Sequence, residues 1–488
     1  MTKHIKTYAI LSLLSFICLL APSCRKFLEV VPKGQQIAAT VGDYDLLMNN
    51  ADLYQYLYNG GGWVAPSLMG DEVAAEQNYF NSIQVNSQRM FQWAAVIYNE
   101  RDNAPDLTTF LANIYICNKV INEVTGSSGG SKSQKLSLQA EAMATRAWIN
   151  FQFINYYAKP YKDSVSAASD PGFPIITAAD VVQTGYVRNS VQEVYNAIIK
   201  DLKSAIAGLP IENTLPTRMN KAAAEGILGK VYLFMGRTGD ALPLLDAAFL
   251  DNAASSRPAR LYDYNVEFGP GGSFLPIMWN GPQSPFTNFN DFTESIVAKT
   301  FTNNTATGYN GNVLTPQTAA LYDSTDLRLM FYSPTYVDGS PNPGGRLRKY
   351  GVQYTKFGME LSELYLLRAE CKARLNDLAG AITDVQALRQ SRMPAPAAMV
   401  PAATAASQPA LIRFIIDERT REFALCGYRW FDMRRLSVDP LFSGQTFTHT
   451  LYLSSGGTTL YTLDQPNRLV LQLPPNIMNS NPGFTNNP

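Results

Sequence analysis

Three short stretches pair aromatic rings with amide or guanidinium donors. "GDEVAAEQNYF" offers Asn78, Tyr79 and Phe80; "FQWAAVIYNERDN" offers Trp93, Arg101 and Asn103; "PIMWNGPQSPFTNFN" offers Trp279, Asn280 and Phe286. An aromatic face packs against C–H bonds, while amides and guanidiniums hydrogen-bond hydroxyls in fixed directions. Together they suit non-covalent recognition of a sugar. Core packing is the competing reading for every one of these rings. It is the reading taken for Trp148 and Trp430, which lie in helical stripes. Trp63, in "NGGGWVAP", is either exposed or part of a tight turn.

Catalytic alternatives have less to build with. Asp71, Glu72 and Glu76 could be paired carboxylates for glycoside hydrolysis, which needs two at a set separation, or oxygen ligands for calcium. No EF-hand pattern accompanies them, and the sequence calls for neither a metal nor a cofactor. Of two histidines, His4 belongs to the leader and only His449 stays, so a Ser-His-Asp triad or a multi-histidine zinc site lacks its parts.

Bulk composition points the same way. The formal net charge is zero, with 40 basic against 40 acidic residues, which argues against a nucleic-acid partner. Hydrophobic residues make up 46%, enough for a large core, and charged residues only 16%. The surface must then be rich in Asn, Thr, Ser, Gln, Tyr and Gly, which suits neutral polar partners.

The chain starts like an export signal. Lys3, His4 and Lys6 precede an apolar run at 8–20, too short for a membrane span, and small residues follow at Ala21 and Ser23. Cleavage after residue 23 would expose Cys24 for lipid attachment at a membrane; ordinary signal cleavage with an incidental Cys24 is the alternative. The remaining Cys117, Cys371 and Cys426 are odd in number, which argues for buried free thiols over a disulfide framework.

The elements that must position these residues are mainly helical. Leu111, Ile114, Cys117, Ile121 and Val124 share one face, as do Met143, Ala147, Phe151, Ile154 and Ala158. Ser190 and Glu193 form a capping box ahead of the stripe Val191, Val194, Ile198, Leu202 and Ala205, which Gly208 and Pro210 stop. Leu228, Gly229, Tyr232, Ala241, Leu245 and Ala248 hold the offsets of a tetratricopeptide unit. Ala369, Ala381, Val385 and Leu388 hold a weaker copy. The expected organisation is a signal peptide over 1–23, an N-terminal segment with candidate ligand loops over 24–104, helices over 105–250, a loop-rich insertion over 251–357, further helices over 358–437 and a loop-rich tail over 438–488. The fold class is mostly α, a tetratricopeptide-like solenoid with a loop-rich lobe.

Five separated motifs carry a family resemblance. "LIRFIIDERTREFALCGYRWFDMRRL" resembles the signature helix of the SusD/RagB family of outer-membrane nutrient-binding lipoproteins, through Glu418-Arg419, Arg421-Glu422, Gly427, Arg429-Trp430, Asp432 and Arg435; Cys426 stands where Glu is commoner. "CRKFLEVVP" is similar to the mature start, "LQLPPNIMNSNPGFTNNP" to the ending, and "AEAMATRAWINFQFINYY" and "ELYLLRAECKARL" to the helical repeats. The resemblance implies a non-catalytic, lipid-anchored oligosaccharide-binding protein on the cell-surface side of the outer membrane. It also implies a SusC-like TonB-dependent barrel as partner. In that family a ligand aromatic often follows an Asp-containing stretch, which favours Tyr79. The signature residues themselves are expected to form a structural ion-pair lattice. A tetratricopeptide adaptor that binds only protein and a carboxylate glycosidase are the rival functions.

Overall fold

The computed structural model describes residues 38–56, 63–102, 104–303, 312–336, 338–350 and 354–488. A short helix, α1 (Gln77–Ser82), precedes the long ones: α2 (Pro105–Glu123), α3 (Lys132–Tyr157), α4 (Val191–Gly208), α5 (Lys221–Phe234), α6 (Thr238–Ala254), α7 (Leu361–Arg374), α8 (Leu378–Gln390), α9 (Gln408–Phe423) and α10 (Tyr428–Leu436). The fold is mostly α. From α2 to α8 each long helix packs on the next, including α6 on α7 across the intervening insertion. The chain thus leaves the helical array after residue 254, builds a separate lobe and returns at 361.

Local signals explain the boundaries. Ser190 caps α4 and makes the full capping box with Glu193. Ser131 does the same for α3 with Gln134. α5 and α6 approach closely at Gly229, where a Cβ would lie 2.6 Å from Leu245 Cδ2. Helix α3 differs from its sequence reading. Its apolar stripe suggests one buried face, yet from Ala140 onward nearly every residue is buried, because α2 and α4 both cover it. Cys117, Cys371 and Cys426 are free and buried, and Trp148 and Trp430 lie in the core, as the sequence suggests. No helix among the described residues is long and apolar enough to cross a membrane.

The lobe carries a six-stranded mixed sheet. Its strands are β1 (Val73–Glu76), β2 (Asn312–Leu314), β3 (Tyr332–Ser333), β4 (Arg348–Lys349), β5 (Thr448–Tyr452) and β6 (Thr458–Thr462), in the order β6-β5-β1-β2-β4-β3. The N-terminal segment, the insertion and the tail therefore meet in one sheet. β5 runs parallel to β1, with Leu451 opposite Ala75 and Tyr452 opposite Glu76. A second apolar cluster, including Val73, Phe80, Phe91, Leu314, Phe331 and Leu451, packs beneath it.

The signature helices tie lobe to array through buried charge. Glu418 bonds Arg328, Arg389 and Arg421; Glu422 bonds Arg328 and Arg392; Arg392 also reaches Glu294. Asp432 bonds Arg419 and Arg435, and Arg435 continues to Glu370. Burial alone would raise the Glu418 carboxyl, but the guanidiniums of Arg328, Arg421 and Arg389 outweigh it and hold it well below the usual carboxylate range. The signature residues thus form the expected ion-pair lattice. Arg328 and Glu294 come from the insertion, so the lattice fixes the lobe against α9.

Candidate functional site

The register of β1 and β5 places Glu76 beside Tyr452. Between β3 and β4 a Gly- and Pro-rich loop folds back over them. Arg346, near its end, donates from Nε to Glu76 Oε1 at 2.6 Å and lies with its guanidinium 4.0 Å from the Tyr452 ring centroid. The ion pair and the stack fix the guanidinium plane from two directions. Asn342 secures the loop by donating to the Arg346 carbonyl at 3.0 Å. The β5–β6 turn closes the other wall. Gly456 and Gly457 both take φ 86°, a left-handed conformation that favours glycine. Ser454 N donates to Gln77 Oε1 and Ser454 Oγ to Asn78 Oδ1, each at 2.9 Å.

These elements surround a cleft of about 980 Å³. Rings come from Tyr79, Tyr336 and Tyr452, and polar groups from Asn78, Ser340 and Ser454. Tyr79 is 8% exposed, and its buried hydroxyl has no hydrogen-bond partner among the described residues. An unpaired buried hydroxyl is costly, and one on a cleft wall is placed to bond a ligand. Asp338 accepts from the Ser340 hydroxyl at 2.6 Å and from its backbone N–H at 2.9 Å, which holds the Asp338 carboxyl below its usual range.

Only part of the sequence-derived candidate set meets here. Asn78 and Tyr79 line the cleft, though Tyr79 stands on α1 and not in a loop. Phe80, on the same helix, turns the other way and packs edge-on against Phe91, 5.6 Å between centroids. Trp93 is likewise a core residue. It takes φ 49° just past the helix Val85–Phe91, stacks on His449 at 3.7 Å and donates Nε1 to the Met69 carbonyl. Neither ring lines the cleft. Arg101 is exposed but does not line the cleft, and Asn103 lies outside the described residues. Trp279 is 60% exposed on a turn closed by Met278 and Gly281; Asn280 is half-buried beside it. Phe286 is half-buried, with Lys349 Nζ 4.2 Å from its ring centroid. None of these three reaches the cleft. Cys24 and residues 1–23 also lie outside the described residues.

Trp63, left open by the sequence, is buried and donates Nε1 to the Cys426 carbonyl at 2.9 Å. His449 is buried on β5, its Nδ1 2.6 Å from the Phe91 carbonyl and its Nε2 2.7 Å from that of Gly70. Burial pushes its pKa down to about 4. A neutral imidazole has one N–H, so only one of the two contacts is a hydrogen bond at neutral pH. The ring's place is structural: it pins the strand that carries Tyr452.

Sequence reasoning missed Tyr336, Asp338, Arg346, Tyr452 and Ser454. The one local signal was the alternating "THTLYLSSGG", a strand and a glycine turn, which marks Tyr452 as a surface ring. Among the described residues no group of three or more His, Cys, Asp or Glu could hold a metal ion.

Comparison with known proteins follows this geometry. A family model described as "Starch-binding associating with outer membrane" matches residues 26–233, and one described as "SusD family" matches residues 286–488. A SusD superfamily protein from Bacteroides thetaiotaomicron superposes with a TM-score of 0.71 at 18% identity, covering 92% of this chain and 100% of its own. A SusD-like carbohydrate-binding protein from Bacteroides vulgatus gives 0.65 at 17% identity, with 92% and 98% covered. A laminarin-binding SusD-like protein gives 0.62 at 17% identity, with 92% and 100% covered. At these identities the likeness is one of fold. No curated protein sequence matches the chain.

Proposed function

Because this chain belongs to the SusD/RagB family, we propose that it is a non-catalytic glycan-binding lipoprotein of the outer membrane that delivers oligosaccharide to a SusC-like TonB-dependent barrel. The observation that carries this reading is the cleft between β1, β5 and the β3–β4 loop. There Arg346 lies over Tyr452, and the buried Tyr79 hydroxyl has no partner among the described residues. A flat ring platform, a fixed guanidinium and an unpaired hydroxyl are what a sugar ring with several hydroxyls needs. The family's description as starch-binding and outer-membrane-associated, and the laminarin binding of one structural neighbour, support the same ligand class.

The chemistry of the cleft supports a binding role over hydrolysis. A glycosidase needs a carboxylic acid kept protonated opposite a second carboxylate. Among the described residues the carboxyls that burial raises, Glu72, Glu141, Glu225, Glu294, Glu360 and Asp417, all lie away from the cleft, and Glu76 is committed to Arg346. Lipidation at Cys24 would hold the protein at the membrane. The helical array, with its extended surfaces, would dock the barrel and leave the lobe free for cargo.

One experiment tests the core of this reading. The purified protein is screened against polysaccharides while binding and the release of reducing ends are both followed. Binding without release is the expected result. Release of reducing ends would make it an enzyme, and no glycan binding at all would return it to a protein-only adaptor. In cells, Cys24→Ala should shift the protein out of the membrane fraction; retention there would remove the anchor.

A further inference from the structure

The charge of the cleft selects among glycans. Of the described residues that line it, two bear carboxylates, Glu76 and Asp338, and one bears a cation, Arg346. That cation is already engaged: Glu76 holds its Nε at 2.6 Å and Tyr452 covers one face of its plane. Among the described residues Asp338 has no cationic partner; it accepts from the Ser340 hydroxyl and backbone N–H. The formal charge of the described lining is therefore negative by one, and its one cation is already shared with Glu76. A ligand carboxylate or sulfate that met the terminal nitrogens of Arg346 would lie beside the Glu76 carboxylate already paired with Nε, and no second cation among the described residues lines the cleft to offset Asp338.

We infer that the cleft takes neutral oligosaccharides and discriminates against uronic-acid and sulfated glycans, with Asp338 as the residue that sets this preference. The inference rests on the glycan-binding reading above and narrows it. Asp338 is exposed on the cleft lining, where salt screens it, so its effect on an incoming anion is read at low ionic strength. The rings and hydroxyls of Tyr79, Tyr336 and Tyr452 are indifferent to charge, so the discrimination falls on the Asp338 side of the site.

The test is calorimetric titration of the intact protein with two sets of probes at 50 and 500 mM NaCl. The neutral set is laminarin, a starch-type α-glucan, galactan and mannan; the anionic set is polygalacturonate and chondroitin sulfate. The expected result is binding of a neutral glycan with an affinity that changes less than twofold between the two salts. Both anionic probes should bind at least tenfold more weakly at low salt. Asp338→Asn should raise the ratio of anionic to neutral affinity by at least threefold. Comparable binding of either anionic probe by the wild type would overturn the inference while leaving the glycan reading intact. An unmoved ratio in Asp338→Asn would overturn the role of Asp338. Failure to bind any probe would overturn the glycan reading and the inference with it.

Discussion

Arg346 lies 4.0 Å over the ring of Tyr452 while its Nε holds Glu76 at 2.6 Å, so a single guanidinium joins the insertion, the tail and the N-terminal strand at the wall of the cleft. The pair should matter to binding far more than to folding, because both residues are partly exposed. Arg346→Ala and Tyr452→Ala should each weaken glycan affinity by about tenfold, equivalent to about 1.4 kcal/mol, with a melting temperature close to wild type. Trp279→Ala, away from the cleft, serves as control and should change neither. Calorimetry beside a melting curve reads all three; unchanged affinity in both cleft variants would empty the site of its meaning.

Tyr79 separates packing from recognition. Tyr79→Phe removes a buried hydroxyl with no partner among the described residues, so stability should hold or rise by about 1 kcal/mol, while glycan affinity falls severalfold. Tyr79→Ala should cost about 3 kcal/mol through the cavity it leaves, because the ring is buried. Urea unfolding with paired binding curves distinguishes the two. A Tyr79→Phe protein that binds as well as wild type would show that the hydroxyl does not meet the ligand.

Glu72 gives a pH dependence of known sign. Burial, reinforced by neighbouring Asp71, pushes its pKa up to about 8 from the ordinary 4.5, and among the described residues no side chain bonds either carboxylate oxygen. The folded state thus binds more protons than the unfolded state between these values. The contribution is fully present below about pH 4.5 and is lost as pH rises through 8. Glu72→Gln should stabilise the protein by roughly 3 kcal/mol at pH 7 and by under about 1 kcal/mol at pH 5. Denaturant melts at the two pH values measure the difference; an advantage that does not grow with pH would contradict the buried-acid account.

The lattice around Glu418 should behave as a structural unit. Glu418→Gln strips the shared carboxylate from Arg328, Arg389 and Arg421 and should cost about 3–5 kcal/mol, since it leaves buried guanidiniums uncompensated. Protein that remains folded at low temperature should bind glycan nearly as wild type does. A variant of normal stability would argue against a structural lattice.

How far the sequence could be read depends on the range of the interactions. The Ser190–Glu193 capping box and the close approach at Gly229 are set by residues within a helix or between successive helices, and both were visible as spacings. Asn78 and Tyr79 were visible because ring and amide are adjacent in the chain. Arg346 and Tyr452 were not, because their meeting depends on the strand order β5-β1-β2-β4, which no local pattern encodes. Trp93 and Phe80 were misplaced for the same reason. The rings that bury them, His449 and Phe91, come from elsewhere in the chain.

The sheet that pairs β1 with β5 also sets a timetable. Glu76 leaves the ribosome before Arg346 and Arg346 before Tyr452, so the cleft gains the wall that carries Tyr452 only after the other two. A chain clipped ahead of β5 would present an open sheet edge at β1 and would also lose Leu469, Leu471 and Leu473, which are buried in the main core. The cleft therefore waits on the tail: a chain that has not yet made β5 has no Tyr452 for Arg346 to meet.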